Sequence, residues 1–284
     1  MKIVMTLLVR DSEELLRDNL EFHLRQGVDF FVITDNASVD GTPGIVEEYV
    51  RAGLAELILE PEDTYSQARW VTRMARRAAE HGADWVINSD DDEFWSGRGG
   101  SLREALTEIP PRCDAVRAVR RNHPPLAVSA GPPRLETMVY RELQSFNALG
   151  NLLQPKVCHR AFADIEVAQG NHAVLKSGAP LPALDTDRLA ISHFPVRGYA
   201  AFERKISLGG AAYARNTELD ATVGAHWRWL YELLGRGELR RWYDGQLHAQ
   251  DRIERGLAEG TLVFDDSVAR ALDPMREVAC RRAG

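Results

Sequence analysis

The first ninety residues alternate between short apolar runs and longer amphipathic stretches. Lys2 to Val9 is apolar with β-branched members and reads as a first strand. Arg10-Asp11-Ser12 closes it, with Ser12 placed to cap a helix. Leu16, Leu20 and Leu24 then recur at four-residue spacing on one helical face, and Gly27 ends that helix. Val28 to Thr34 gives the second strand. Thr42 as a cap and Pro43 at the first helical position open a second helix. Its apolar face is Ile45, Val46, Tyr49 and Val50, and Gly53 stops it. Leu54 to Leu59 is the third strand. Thr64 can cap a helix running to about His81, with Ala68, Val71, Ala75 and Ala78 packing inward and Gly82 at its end. Ala83-Asp84-Trp85-Val86-Ile87 reads as a fourth, buried strand. Such alternation predicts an α/β fold with a mostly parallel central sheet, right-handed crossovers and flanking helices. Ser101 and Glu104 form a capping box before Leu102, Leu106 and Ile109, and Pro110-Pro111 terminates that helix.

The second half is less regular. Asp114 to Arg121, Leu152 to Phe162 and Arg188 to Phe194 are strand candidates, and Asn122 to Pro133 is a Pro-rich loop. Tyr199 to Leu208 reads as a helix stopped by Gly209-Gly210. His226 to Leu234 and Leu239 to Leu257 read as helices that cover the sheet or an oligomer contact, so a homo-oligomer is one expectation.

Composition narrows the class. The chain has 284 residues, 44% hydrophobic and 27% charged, which is ordinarily globular. A net charge of -7 argues against a nucleic-acid surface. Cys113, Cys158 and Cys280 are few, odd in number and far apart, with no zinc or redox spacing, which suits a reducing cytoplasm. The expectation is a cytoplasmic protein with no signal peptide. No apolar run approaches the ~20 residues a membrane span needs.

The candidate chemistry lies at Asn88-Ser89-Asp90-Asp91-Asp92-Glu93-Phe94, at the end of the fourth strand. Ligands of open α/β sheets bind beyond the carboxyl ends of the strands. Four adjacent carboxylates repel unless a cation or hydrogen-bond donors sit among them. On an extended backbone Asp90 and Asp92 project to one side, a spacing that suits a hard divalent cation shared with substrate phosphates. The plainer reading is a solvated acidic turn.

Three segments carry a resemblance. Asp35-Asn36-Ala37-Ser38-Val39-Asp40-Gly41-Thr42 resembles the Asp-x-x-Ser-x-Asp-Gly-Thr loop after the second strand of family-2-type glycosyltransferases. Ala68-Arg69 lies about where that family keeps an Ala-Arg pair, and Asp90-Asp91-Asp92-Glu93-Phe94 looks like its Asp-x-Asp motif in the Asp-x-Asp-Glu-Phe form. The match covers roughly residues 2 to 95. It implies a GT-A fold and a UDP- or GDP-sugar donor used with Mn²⁺ or Mg²⁺ by an inverting transferase whose acceptor is unknown. In those terms residues 1–110 are the nucleotide-sugar half and 111–215 the acceptor half of one domain, with 216–284 a C-terminal helical extension. The Glu-Asp acceptor-side motif and the Gln-x-x-Arg-Trp signature of processive members are not evident.

The resemblance also distributes roles. Asp35 would accept a hydrogen bond from a base N–H or a ribose hydroxyl, whereas Asp40 reads as a helix-entry residue. Arg69 would reach the base or a phosphate, or else is one surface cation of the run Arg69, Arg73, Arg76, Arg77. Asp90 would contact the ribose, Asp92 the metal, and Asp91 belongs to the donor site or points away as a spectator. His172 in Gly170-Asn171-His172 and His193 in Ser192-His193-Phe194 are the histidine candidates. His193, closing an extended segment, is expected to ligate the metal, and His172 to contact acceptor or sugar as a catalytic residue. The catalytic base stays open among Asp164, Glu166, Asp185 and Asp187. The tryptophans, Trp95, Trp227, Trp229 and Trp242 among them, read as core. The competing functions are a nucleotidyltransferase, which would prefer a Gly-rich cationic loop in place of Arg10-Asp11-Ser12-Glu13, and a non-catalytic nucleotide-sugar binder.

Overall fold

The computed structural model describes residues 1–64, 66–127, 134–220 and 222–273. The last part of the expected Pro-rich loop and Cys280 lie outside them. In chain order the elements are β1 Ile3–Val9, α1 Leu16–Arg25, β2 Phe30–Asp35, α2 Thr42–Arg51, β3 Ala55–Leu59, α3 Gln67–Glu80 and β4 Trp85–Ser89. Then follow β5 Glu93–Gly97, α4 Leu102–Thr107, β6 Ala115–Asn122, β7 Tyr140–Glu142, β8 Lys156–Arg160, β9 Ile165–Val167, β10 Val174–Lys176, β11 Ala179–Pro180 and β12 Ala183–His193. The last elements are α5 Tyr199–Arg215, α6 Ala225–Gly235, α7 Leu239–Gln246, α8 Gln250–Glu259, β13 Leu262–Phe264 and α9 Ser267–Leu272.

The central sheet has eight strands in the order β3-β2-β1-β4-β8-β6-β12-β5. Its first four strands are parallel, with Val9 opposite Asp35 and Leu7 opposite Ser89. β8 then runs antiparallel to both β4 and β6. This is the α/β architecture, mostly parallel sheet and flanking helices, expected above.

Strand alternation explains the uninterrupted apolar runs. In β1 the odd residues Ile3, Met5, Leu7 and Val9 join a core with Leu16 and Leu20 of α1 and with Leu102 and Leu106 of α4. Val4, on the opposite face, packs with Val32, Val86 and the inward face of α3, namely Val71, Met74, Ala75 and Ala78. Both faces are covered, so both sets must be apolar. Met74 is fully buried, and truncation to Ala there would cost about 2–5 kcal/mol.

The chain forms two compact units, 1–120 with 154–191, and 121–153 with 192–284. Within the second unit, α5 packs with α6 and α7. Gly209 and Gly210 do not stop α5, which continues to Arg215. They serve instead as the seat for α6, because a Cβ on Gly209 would meet the Trp227 ring at 2.7 Å and one on Gly210 would strike Tyr231. The helix expected over Leu239 to Leu257 is two helices, α7 and α8, broken at Leu247-His248, where the His248 N–H donates to the Pro125 carbonyl. The tryptophans behave as core: Trp95 is fully buried, Trp242 stacks on Phe202, and Trp229 meets Trp242 edge-on.

Candidate active site

Asp90, Asp91 and Asp92 form a turn directly after the end of β4, and Glu93 opens the next strand. β4 stops at Ser89 and β5 begins at Glu93, so strand alternation does not relate Asp90 to Asp92. The turn is closed by the Glu93 N–H on the Asp90 carbonyl at 3.2 Å and by the Asp90 N–H on Glu93 Oε2 at 3.2 Å. Helix α1 braces it from one side. Asn19 Nδ2 donates to the carbonyls of Asp91 and Glu93 at 2.9 and 3.0 Å. The Ser12 hydroxyl, expected as a helix cap, donates to Asp91 Oδ2 at 2.6 Å. One oxygen of Asp91 thereby ties the turn to the segment that leads into α1. His23 completes the brace. Its Nδ1–H donates to the Asn19 carbonyl at 2.8 Å, and its Nε2 accepts the Trp95 N–H at 3.0 Å.

On the other side two buried cations balance the carboxylates. Lys156, at the start of β8, has a side chain 1% exposed. Its Nζ lies 2.6 Å from Asp90 Oδ2 and 3.2 Å from Glu93 Oε1. Arg120 Nη1 lies 3.0 Å from the same Glu93 oxygen. Glu93 is fully buried, and desolvation pushes its carboxyl up to about 7 against the opposing pull of Lys156. Asp92 is buried and engaged within the chain, whereas the Asp90 side chain remains 32% exposed. A buried polar chain supports the strand beneath: Thr6 Oγ1 donates to Asn88 Oδ1 at 2.8 Å, and Asn88 Nδ2 lies 3.1 Å from His159 Nε2.

The Gly170-Asn171-His172 segment joins this group. Asn171 Nδ2 is 3.5 Å from Asp90 Oδ1, and Asn171 is 1% exposed with Oδ1 lacking a partner. Gly170 and Asn171 are both left-handed, at φ 75 and 60. A Cβ on Gly170 would stand 2.6 and 2.7 Å from the Cδ2 and Nε2 of His172, so glycine makes room for that ring. His172 Nδ1–H donates to the Pro155 carbonyl at 2.9 Å, which leaves Nε2 with the lone pair. Burial, then the nearby Lys156 charge, lower its pKa to about 4. His172 is accordingly a neutral acceptor and a weak base at neutral pH.

Asp35 ends β2 at the same edge of the sheet, two strands from Asp90 with β1 between them, a separation of roughly 10 Å from the strand spacing. It is 4% exposed, and burial raises its pKa. Its Oδ1 accepts from the Ser38 hydroxyl and, at 3.3 Å, from the Ser38 N–H. The loops after β1 and β2 are tied together, since the Asp11 N–H donates to Ser38 Oγ at 2.9 Å and Asp11 Oδ1 accepts from the Val39 N–H at 2.8 Å. Asp11 and Ala37 hold positive φ there, 50 and 54. Asp40 is the helix-entry residue expected, with Oδ1 accepting from the Thr42 N–H at 2.9 Å.

Arg69 has a side chain 63% exposed and pairs with Glu62, whose carbonyl accepts from buried Asn36 at 2.7 Å. Arg73 and Arg77 pair with Glu60 and Glu56, so the basic run is mainly an ion-paired helix face. His193 belongs to the second unit; its Nδ1 lies 2.7 Å from Asn122 Oδ1, which assigns the proton to Nδ1 and the lone pair to Nε2. Asp164, Glu166, Asp185 and Asp187 are exposed, and Asp185 and Asp187 pair with Arg117 and Arg98. Lys156, Arg120 and Asn19 are the site residues that motif and periodicity did not single out, and Ser12 reads in the sequence as a helix cap.

Among the described residues no three His, Cys, Asp or Glu side chains gather as a group able to hold a metal by themselves. The oxygen-rich set around the turn, with the unpartnered Asn171 Oδ1 beside Asp90, fits a hard divalent ion that takes its remaining ligands from a substrate's phosphates.

No protein-family model matches the chain, and no curated protein matches it. Among solved structures, S. aureus TarS 1–349, alone and with UDP, is similar at 14% identity and a TM-score of 0.42, over 100% of this chain and 92% of that one. The same protein with UDP-GlcNAc gives 16% and 0.41, over 83% and 72%. A mycobacterial protein gives 15% and 0.38, over 78% and 76%.

Proposed function

We propose that the protein is a glycosyltransferase that moves a sugar from a nucleoside-diphosphate sugar, with UDP or GDP as the carrier, to an acceptor hydroxyl. The observation that carries this reading is the pair of carboxylates, Asp35 and Asp90, at one carboxyl edge of a parallel sheet and two strands apart. That separation of about 10 Å matches a nucleoside laid across β1. In this reading Asp35 accepts from the base or ribose, and Asp90 accepts from a ribose hydroxyl. Asp92 supplies the carboxylate for Mn²⁺ or Mg²⁺, and the ion would neutralise charge on the departing diphosphate. His172 presents a neutral Nε2 to a sugar hydroxyl and orients it. Its low basicity suits an acceptor better than the base that an inverting transfer requires.

A nucleotidyltransferase would need free cations after β1, and Arg10 is instead paired with Asp63 at 2.6 Å. No described helix is long and apolar enough to cross a membrane. The deciding experiment is a thermal-shift panel of UDP- and GDP-sugars with and without Mn²⁺, because a ligand of the native state raises the midpoint. A metal-dependent shift with one nucleotide series is expected. No shift with any member would refute the reading.

A further inference from the structure

The two cations inside the acid turn have no role in the donor contacts just described. Lys156 is the more unusual, a lysine with a 1% exposed side chain at the mouth of a β-strand. Taking an ammonium out of water is costly unless it is paired, so its position needs a reason. Its geometry supplies one. Nζ bridges Asp90 Oδ2 at 2.6 Å and Glu93 Oε1 at 3.2 Å, while Glu93 Oε2 accepts the Asp90 backbone N–H at 3.2 Å. Asp90, Lys156 and Glu93 thus form a closed ring that fixes both the backbone and the carboxylate of Asp90. Arg120 holds the far corner, Glu93 Oε1, at 3.0 Å. Only Asp90 within this ring is open to solvent, at about a third of its side chain. A second observation points outward to a ligand. Asn171, buried and left-handed, lies 3.5 Å from the other Asp90 oxygen and keeps an unpartnered Oδ1.

We propose that Lys156 is a positioning residue: clamped on Glu93, it occupies one oxygen of Asp90 and turns the other toward a hydroxyl of a bound nucleoside diphosphate. The proposal rests on the donor site described above and assigns selection for the ribose to the ring Asp90–Lys156–Glu93. An ammonium saturates one carboxylate oxygen and leaves the other as a single directed acceptor. Without it the carboxylate can rotate, and Glu93 is left buried without one of its two cations.

The test is discrimination between UDP, or GDP if that is the nucleotide bound, and its 2′-deoxy and 3′-deoxy forms, measured by calorimetry. Wild type is expected to bind one deoxy form at least about tenfold more weakly than the ribonucleotide, the range for a hydrogen bond to a charged group. Folded Lys156→Met should bind the ribonucleotide about as weakly as the wild type binds that deoxy form, bringing the ratio near one. Lys156→Arg should restore part of the ratio. Adding Lys156→Met to Asp90→Asn should produce no further loss, since the two act through one contact. A merely structural lysine would lower the unfolding midpoint and leave the ratio unchanged. A tenfold ratio retained in folded Lys156→Met overturns the proposal. If that variant does not fold, Glu93→Gln removes the charged clamp from the other side, and an unchanged ratio there overturns it equally. Absence of any nucleotide binding by wild type would instead remove the donor site itself, a result distinct from either.

Discussion

His23 offers a measurable consequence of how the acid turn is braced. Its Nδ1–H is fixed by the Asn19 carbonyl at 2.8 Å, and its Nε2 accepts the Trp95 N–H at 3.0 Å. A proton on Nε2 would face another donor in a fully buried site, and desolvation lowers the folded pKa to about 3 from an ordinary 6.5. Below pH 6.5 the unfolded chain takes the proton and the folded chain does not, so stability is full above that value and is lost as pH falls toward 3. From the two pKa values the loss between pH 7 and pH 5 is about 2 kcal/mol from this residue alone. Urea unfolding followed by circular dichroism at both pH values, on wild type and His23→Gln, isolates it. The variant is expected to be less stable at pH 7, because Gln cannot reproduce both hydrogen bonds. Its further loss on going to pH 5 should be about 2 kcal/mol smaller than the wild-type loss. Equal losses in the two proteins would refute a neutral His23 locked between Asn19 and Trp95.

Two further expectations follow from the site. Asp35→Ala should weaken a nucleoside diphosphate and its sugar conjugate by the same factor, worth about 1.5–3 kcal/mol for a charged acceptor, and a loss confined to the conjugate in calorimetry would refute its nucleoside role. Gly170→Ala should force the His172 ring aside and lower turnover while nucleotide affinity holds, since a Cβ meets that ring at 2.6 Å; unchanged turnover in a sugar-release assay would count against His172.

The strand–helix alternation up to β4 was legible because both faces of those strands are buried and each helix carries one apolar face. The same reading failed where tertiary packing overrides a local signal. Gly209-Gly210 looks like a stop and is a helix–helix seat, because the Trp227 and Tyr231 side chains come too close for any Cβ. Ser12 looks like a cap and instead binds Asp91, 79 residues away. Near the candidate site, Asp40 is the helix-entry residue the loop pattern implied. The turn geometry of the acids did not follow from the sequence, since it depends on Asn19, Lys156 and Arg120, whose contacts span up to 74 residues. The pairing of acceptor-side strands and the two-unit division were equally hidden, as nothing local marks where β6 and β12 pass from one unit to the other.

The most direct test of the central claim is a calorimetric titration of UDP and GDP into wild type and Asp92→Asn, each in Mn²⁺ and in EDTA. One of the two nucleotides should bind wild type in Mn²⁺. Asp92→Asn should weaken that binding at least about tenfold, as expected for loss of a charged ligand contact, and the two proteins should be nearly equal in EDTA. Equal binding by both proteins in Mn²⁺, or no binding of either nucleotide by wild type, would contradict a nucleotide-sugar site at the acid turn.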